Sequence, residues 1–250
     1  MKNSASSSAI RVTFSVNGKP VAIEVTAPNR RVRIDELLPT LLAIDDRLIE
    51  ATVADREAAG ERISCAKGCT ACCRTQPVPI TPPEAMALAR LVDALPEPEQ
   101  STVRRAFAAA AERLRGAGLY DFYMQQDRET TREAAIEIVR RYIALALPCP
   151  FLKDTVCTAY ASRPFVCRQY LVTSPPDFCE APLDNPVQPV RVPAAFATAV
   201  LEATETISGH TQLTIPLVLA LSYVEANRAE LERTYDSESA FGKIMRALQS

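Results

Sequence analysis

Apolar and polar residues alternate from Ile10 to Val25, with Val12, Phe14 and Val16 on one arm and Val21, Ile23 and Val25 on the other. Asn17-Gly18 stands between the arms and can supply the positive-φ turn of a two-residue loop, so this stretch predicts a β-hairpin. It is the only convincing strand pair in the chain. From Ile34 to about Ala59 the period changes. Ile34, Leu37, Leu38, Leu41, Leu42, Ile44, Leu48 and Ile49 recur mostly at steps of three and four, which predicts an amphipathic helical stretch.

Three further helices are predicted over Pro82 to Leu95, Pro98 to Arg115 and Arg128 to Leu147. Thr81 before Pro82-Pro83-Glu84 suits an N-cap with proline in the first turn. The third segment carries the clearest stripe, Ala135, Ile136, Val139, Tyr142, Ile143 and Ala146, and stops at Pro148. Cys149 to Pro193 holds eight prolines and little periodicity, and reads as an irregular lobe in need of another organiser. Pro193 to Ile207, Ile215 to Leu231 and Ser237 to Leu248 again look helical. The expected fold is mainly α: a helical domain with an N-terminal β-hairpin and an irregular, proline-rich, metal-organised cysteine lobe. Its expected parts are 1–33, 34–192 and 193–250, the last being helices that pack on the cysteine-bearing middle.

Composition narrows the choice of chemistry. With 250 residues, 48% of them hydrophobic, the chain can fold by burial alone and its eight cysteines are not needed as disulfide staples. Met1 to Ala9 is polar and serine-rich, without the apolar centre of an export signal, and the longest apolar run, Ile215 to Val224, is interrupted by Pro216 and far too short for a bilayer. A cytoplasmic protein with no membrane partner is expected. A net charge of −2 without a lysine or arginine block gives a polyanion nothing to hold, so nucleic acid is excluded as a partner.

The cysteines fall in two groups. The first reads Cys65-Ala-Lys-Gly-Cys69-Thr-Ala-Cys72-Cys73. In one continuous helix these four would share an arc of about 100°, but Cys65 and Cys73 would stand about 12 Å apart along the axis, out of reach of one metal. A turn at Gly68 can fold Cys65 back over the Cys69-x-x-Cys72 spacing; two adjacent metals are the alternative. The second group, Cys149, Cys157, Cys167 and Cys179, is too irregular for a paired-spacing zinc finger, so its ligands must be gathered from loops. His210 is the only histidine, which leaves a nearly all-sulfur donor set suited to soft or borderline metals and unsuited to calcium or magnesium. Lys67, Arg74, Arg163 and Arg168 flank the cysteines and can offset thiolate charge.

At these residues the sequence resembles the YkgJ-type, or CxxCxxCC, family of zinc- or iron-chelating proteins. The likeness rests on Cys65-x3-Cys69-x2-Cys72-Cys73, Cys149-Pro-Phe-Leu, Cys157-x2-Tyr160-x2-Arg163-Pro164 and Cys167-Arg168. The first gap is Cys-x3-Cys where the family name has Cys-x2-Cys. The resemblance implies a cysteine-cluster metal site; some members resemble flagellin lysine N-methylases, which implies a link to protein modification. There is no GxGxxG-like nucleotide loop.

Three functions follow as expectations. The first is an iron-sulfur cluster on thiolates, for which Cys149-Pro150 and the nearby cations speak. The second is one or two structural zinc ions that staple the proline-rich lobe to the helices. The third is a cluster-dependent modifying enzyme acting on a protein partner or substrate, whose sign would be a concave pocket beside the cysteines bearing Tyr160, Arg163, Arg168 or Tyr170. A thioredoxin-like exchange is disfavoured, because Cys69-x-x-Cys72 lacks the strand-turn-helix setting.

Overall fold

The structure, a computed structural model, describes residues 7–125 and 129–249. The hairpin forms as its alternation requires. β1 (Ser7–Val16) pairs antiparallel with β2 (Lys19–Pro28), with Val16 opposite Lys19 across a two-residue loop. Asn17 and Gly18 both take positive φ, 47° and 80°, as a type I′ turn demands. The side-chain amide of Asn17 and the ammonium of Lys19 both bond Asp55, which pins the turn to the helix behind it.

That helix, α1 (Leu38–Ala58), follows one turn of 3₁₀ helix over Ile34–Leu37. Leu37, Leu41, Ile44 and Leu48 are fully buried on the face turned to the hairpin, and Thr40 Oγ1 donates to the Thr26 carbonyl of β2 at 2.8 Å. Two C-terminal helices complete this core: α8 (Phe196–Ser208) and α10 (Ser237–Ala247), through Phe196, Ala199, Val200, Phe241 and Ile244. Chain start and chain end therefore share one apolar centre.

A second core lies between α3 (Pro82–Asp93) and α9 (Ala220–Leu231), which pack along each other. The expected cap at Thr81 is present in full. Thr81 Oγ1 accepts the Glu84 N–H, and the Glu84 carboxylate accepts the Thr81 N–H at 2.8 Å. Such a capping box satisfies two donors that a helix start otherwise leaves open. A third core joins α4 (Glu99–Gly116), the short α5 (Tyr120–Met124) and the end of α6 (Arg132–Ala144) around Leu114, Leu119 and Tyr142.

The third predicted helix needs correction at its start and in its stripe. Arg128 lies outside the described residues, and the helix begins at Arg132, capped by Thr131 Oγ1 accepting from the Ala134 N–H. Of its stripe only Tyr142 is buried, while Ile136 is 41% exposed. Ile138 packs against the third core beside Tyr142, Ala135, Val139 and Ile143 are half-buried, and Ala146 is exposed with Ile136. Between β2 and the C-terminus the remaining strand pairings are two-residue bridges, so the fold is mainly helical, with one hairpin. No helix of the described residues is long and apolar enough to cross a membrane.

Candidate metal centre

The first cysteine group does not continue as a helix. Cys69 N–H bonds the Ala66 carbonyl at 2.9 Å, and Gly68 at φ 95° closes this turn, one of the two arrangements the sequence allowed. Only after Thr70 does the chain enter α2 (Ala71–Thr75), which carries Cys72 and Cys73. Cys65 is fixed from the other side: Ser64 N–H donates to the Val172 carbonyl at 2.9 Å, Ser64 Oγ to the Thr173 carbonyl at 3.1 Å, and the Cys65 thiol to the Tyr170 carbonyl at 3.6 Å.

The second group arrives through loops tied to the same turn. Cys149 N–H donates to the Cys73 carbonyl at 2.8 Å, which joins the two groups through the backbone. A tight turn between Leu152–Lys153 and Val156–Cys157 places Cys157. Cys167 sits in α7 (Phe165–Gln169). All eight cysteines are free thiols.

Seven of them line one cavity of about 290 Å³: Cys65, Cys69, Cys72, Cys73, Cys149, Cys157 and Cys167. Cys179 does not line it. It is buried in a small apolar cluster with Ala71 and Val172, its carbonyl bonded by Gln76 Nε2 at 2.6 Å. His210 is exposed and stands away from this wall. Among the described residues no group of three or more His, Cys, Asp or Glu side chains is arranged to hold a metal ion as placed. The thiols thus face a common chamber and do not meet at a point.

Burial sets the protonation of these groups. It pushes the Cys149 thiol up to about 12 and the Cys167 thiol well up, and also raises Cys65 and Cys157. Cys72 donates a hydrogen bond to Cys73, which raises Cys72 and holds Cys73 down. Without a cation most of this wall is neutral, and a bound metal is what would draw out its protons. The donor set, all sulfur and confined, fits a thiophilic metal or cluster.

Cations stand at the rim. The Arg163 guanidinium stacks 3.8 Å from the centroid of the Tyr160 ring, and Lys67 Nζ approaches the same ring at 5.8 Å. Neither has a carboxylate partner among the described residues, and Arg163 Nε is buried without a hydrogen-bond partner. Tyr160 and Val156 are exposed, 40% and 54%, so the chamber is reached past them. Tyr170 also lines it. Arg168 belongs instead to a neighbouring cavity of about 390 Å³ that shares Leu88, Arg163 and Pro164 with the first.

Reading the sequence for metal ligands missed the polar groups that hold α7 in place. Glu84 Oε1 accepts the Phe165 N–H at 2.8 Å, so the carboxylate that caps α3 also anchors the helix carrying Cys167. Gln169 Nε2 donates to Asp45 Oδ1 at 2.7 Å and to the Ala194 carbonyl at 2.8 Å. Arg168, its side chain 9% exposed, pairs with Asp46 at 2.5 Å and donates to the carbonyls of Arg163 and Ala161. Glu84 was detectable as the last residue of a capping box. Asp45 and Asp46 were not, because nothing local to α1 sends a carboxylate to a segment more than a hundred residues away.

Residues 64–182 match a family model. This is the CxxCxxCC model, described as a "putative zinc- or iron-chelating domain". The CxxCxxCC match opens directly before Cys65, closes just after Cys179 and so includes every cysteine of the chain. It spans a little under half of the sequence and leaves out the hairpin, α1 and α8 to α10. Comparison with curated proteins and with solved structures returned no match. The CxxCxxCC match and the shared thiol wall both support metal binding by this segment.

Proposed function

We propose that the chain is an iron-sulfur protein whose cluster chemistry occurs in the thiol-lined chamber. The carrying observation is the size of that chamber set against its donors, about 290 Å³ walled by seven thiols. A lone zinc with bonds of about 2.3 Å would draw four sulfurs to within about 3.8 Å of one another. A cluster with its own bridging sulfides occupies more room than a single ion, and its iron accepts an all-thiolate donor set. Cys73, Cys149, Cys157 and Cys167, with Cys65, Cys69 and Cys72, are the residues that would hold it; when bound, it supplies electron transfer or an iron open to a ligand. Arg163 and Lys67 supply positive charge to a strongly anionic centre. The approach past Tyr160 and the presence of Arg163 and Tyr170 on the wall favour a reactive centre over a sealed staple.

Protein purified without oxygen tests this reading. It is expected to be coloured, with visible sulfur-to-iron absorption and with iron and acid-labile sulfide bound in like amounts. Colourless protein carrying stoichiometric zinc and no sulfide would replace the proposal with the structural-zinc alternative.

A further inference from the structure

Arg163 lies just before α7 and Arg168 within it, yet the two side chains are bonded very differently. Arg168 is fully engaged: it pairs with Asp46 at 2.5 Å and donates to the carbonyls of Arg163 at 2.8 Å and Ala161 at 2.5 Å. Arg163 has no such set. Its Nη1 reaches the Cys167 carbonyl only at 3.5 Å, and its Nε is buried without a partner. A buried N–H left unbonded costs free energy and calls for an acceptor.

The walls around Arg163 narrow the choice of acceptor. Among the described residues no aspartate or glutamate lines the thiol chamber. The neighbouring cavity, which Arg163 also lines, does contain Asp46 and Glu84. Both are already bonded elsewhere, Asp46 to Arg168 and Glu84 to Thr81 and the Phe165 N–H, and neither forms an ion pair with Arg163. What remains on the chamber wall is sulfur. A neutral thiol is a weak acceptor, whereas a thiolate accepts a charge-assisted bond from a guanidinium. Metal binding converts the one into the other.

The side chain is also fixed in advance. Its guanidinium stacks on the Tyr160 ring at 3.8 Å, and its own carbonyl is held by Arg168, which is anchored to α1 through Asp46. Neither restraint uses Nε. Lys67, by contrast, is exposed and stands 5.8 Å from the same ring, so it offers charge without a fixed direction.

We propose that Arg163 is a positioning residue of the metal centre: its Nε–H donates to a cysteine thiolate that holds the metal. The bond is made in the loaded chain and not in the metal-free one. Partners of this kind orient metal ligands, and hydrogen bonds to sulfur raise the reduction potential of an iron-sulfur centre by stabilising its more electron-rich state. The assignment rests on the metal-binding reading above but not on the identity of the metal.

The test compares the anaerobically purified full chain with Arg163→Gln and Arg163→Lys. Metal retained against graded EDTA is measured first. Both variants are expected to lose about 10- to 100-fold in apparent metal affinity, the usual effect of removing a group that orients a ligand. Lysine keeps the charge but has no donor at the Nε position. Parental affinity in Arg163→Lys would show that charge alone suffices and would overturn the directed bond, as would parental affinity in Arg163→Gln. Denaturant midpoints of the metal-free proteins are measured next and should match, because the Nε bond is absent from all three. Metal-free variants that unfold earlier than the parent would make Arg163 a support of the lobe itself and end the proposal. Where the metal is iron with sulfide, both variants should also show a more negative reduction potential; an unchanged potential counts against the bond. Zinc in the parent removes the iron-sulfur reading, and the affinity series still decides the role of Arg163.

Discussion

Two buried carboxylates, Asp45 and Glu84, decide how firmly the Cys167 helix is held. Glu84 is 3% exposed, and its two oxygens accept from Thr81 N–H, Thr81 Oγ1 and Phe165 N–H, the last two elements being far apart in sequence. In Glu84→Gln an amide NH₂ must face one of these donors. The expected loss is about 1 to 3 kcal/mol of stability, the cost of an unsatisfied buried group, read from denaturant midpoints. Asp45 is fully buried, its Oδ1 bonded by Gln169 and its Oδ2 without a partner. Burial raises it from 3.8 to about 7, with Asp46 and Glu84 adding to the rise and Gln169 and Arg168 opposing it. Between about pH 4 and about pH 7 the native chain keeps a proton that the unfolded chain has released, so this residue's contribution to stability falls as pH rises. Asp45→Asn keeps an acceptor for Gln169 and removes the titration. Its stability relative to the parent should therefore climb through that window and level off above about pH 7. A difference that stays flat over the same range would show that Asp45 does not titrate there.

At the scale of elements, what could be read in advance was whatever is encoded locally. The hairpin was legible because alternation and Asn17-Gly18 specify strand, turn and register together. The Thr81 to Glu84 box marked the start of α3. The turn in the first cysteine group could be argued because a straight helix would separate Cys65 from Cys73, and Gly68 was the residue able to break it. The extent of α6 was misjudged for the converse reason. Its stripe is regular, but whether a stripe is buried depends on what packs against it, and only Tyr142 of this one is fully covered. The convergence of seven cysteines on one wall while Cys179 stays behind it was likewise out of reach, since it depends on Val172, Tyr170 and Cys73 carbonyls contacted over long separations. Gly68 gives this scale its prediction. Its φ of 95° is strained for any L side chain, and no atom lies within 4 Å of an added Cβ, so backbone conformation alone is at stake. Gly68→Ala should cost about 1 to 2 kcal/mol at the turn. The expected outcome is faster loss of metal to chelator with an unchanged far-ultraviolet circular dichroism spectrum. Equal loss rates in the two proteins would mean that the turn does not present Cys65 and Cys69 to metal.

Across the whole molecule, apolar packing and thiol chemistry are kept largely apart. Among the described residues, the core formed by the hairpin, α1, α8 and α10 takes Phe165 as its fully buried residue from the cysteine-bearing segments, stacked on Phe196 with ring centroids 5.3 Å apart, with Val192 half-buried against it. That core lies outside the matched CxxCxxCC segment except at this ring and at Ala87, which is half-buried against it. By contrast, residues 149–193 have short bridges, 3₁₀ turns and a single five-residue helix, and much of their order comes from hydrogen bonds to neighbours. Stability should then differ between the two regions when metal is withdrawn, because a site that binds metal only in the folded state gains its binding free energy as folding free energy. Amide hydrogen exchange followed before and after chelation measures this directly. Amides of α1, α8 and α10 are expected to keep their protection, while those of 64–75 and 149–180 exchange much faster once metal is gone. The effect should pass between the regions at α7, through the Phe165 ring in the first core and through the bonds of Arg168 and Gln169 to Asp46 and Asp45 of α1. If chelation instead loosens α1 and α8 as much as the cysteine turns, the metal organises the entire fold and not one lobe of it. Unaltered exchange in both regions would leave the cysteine lobe held by its hydrogen bonds alone.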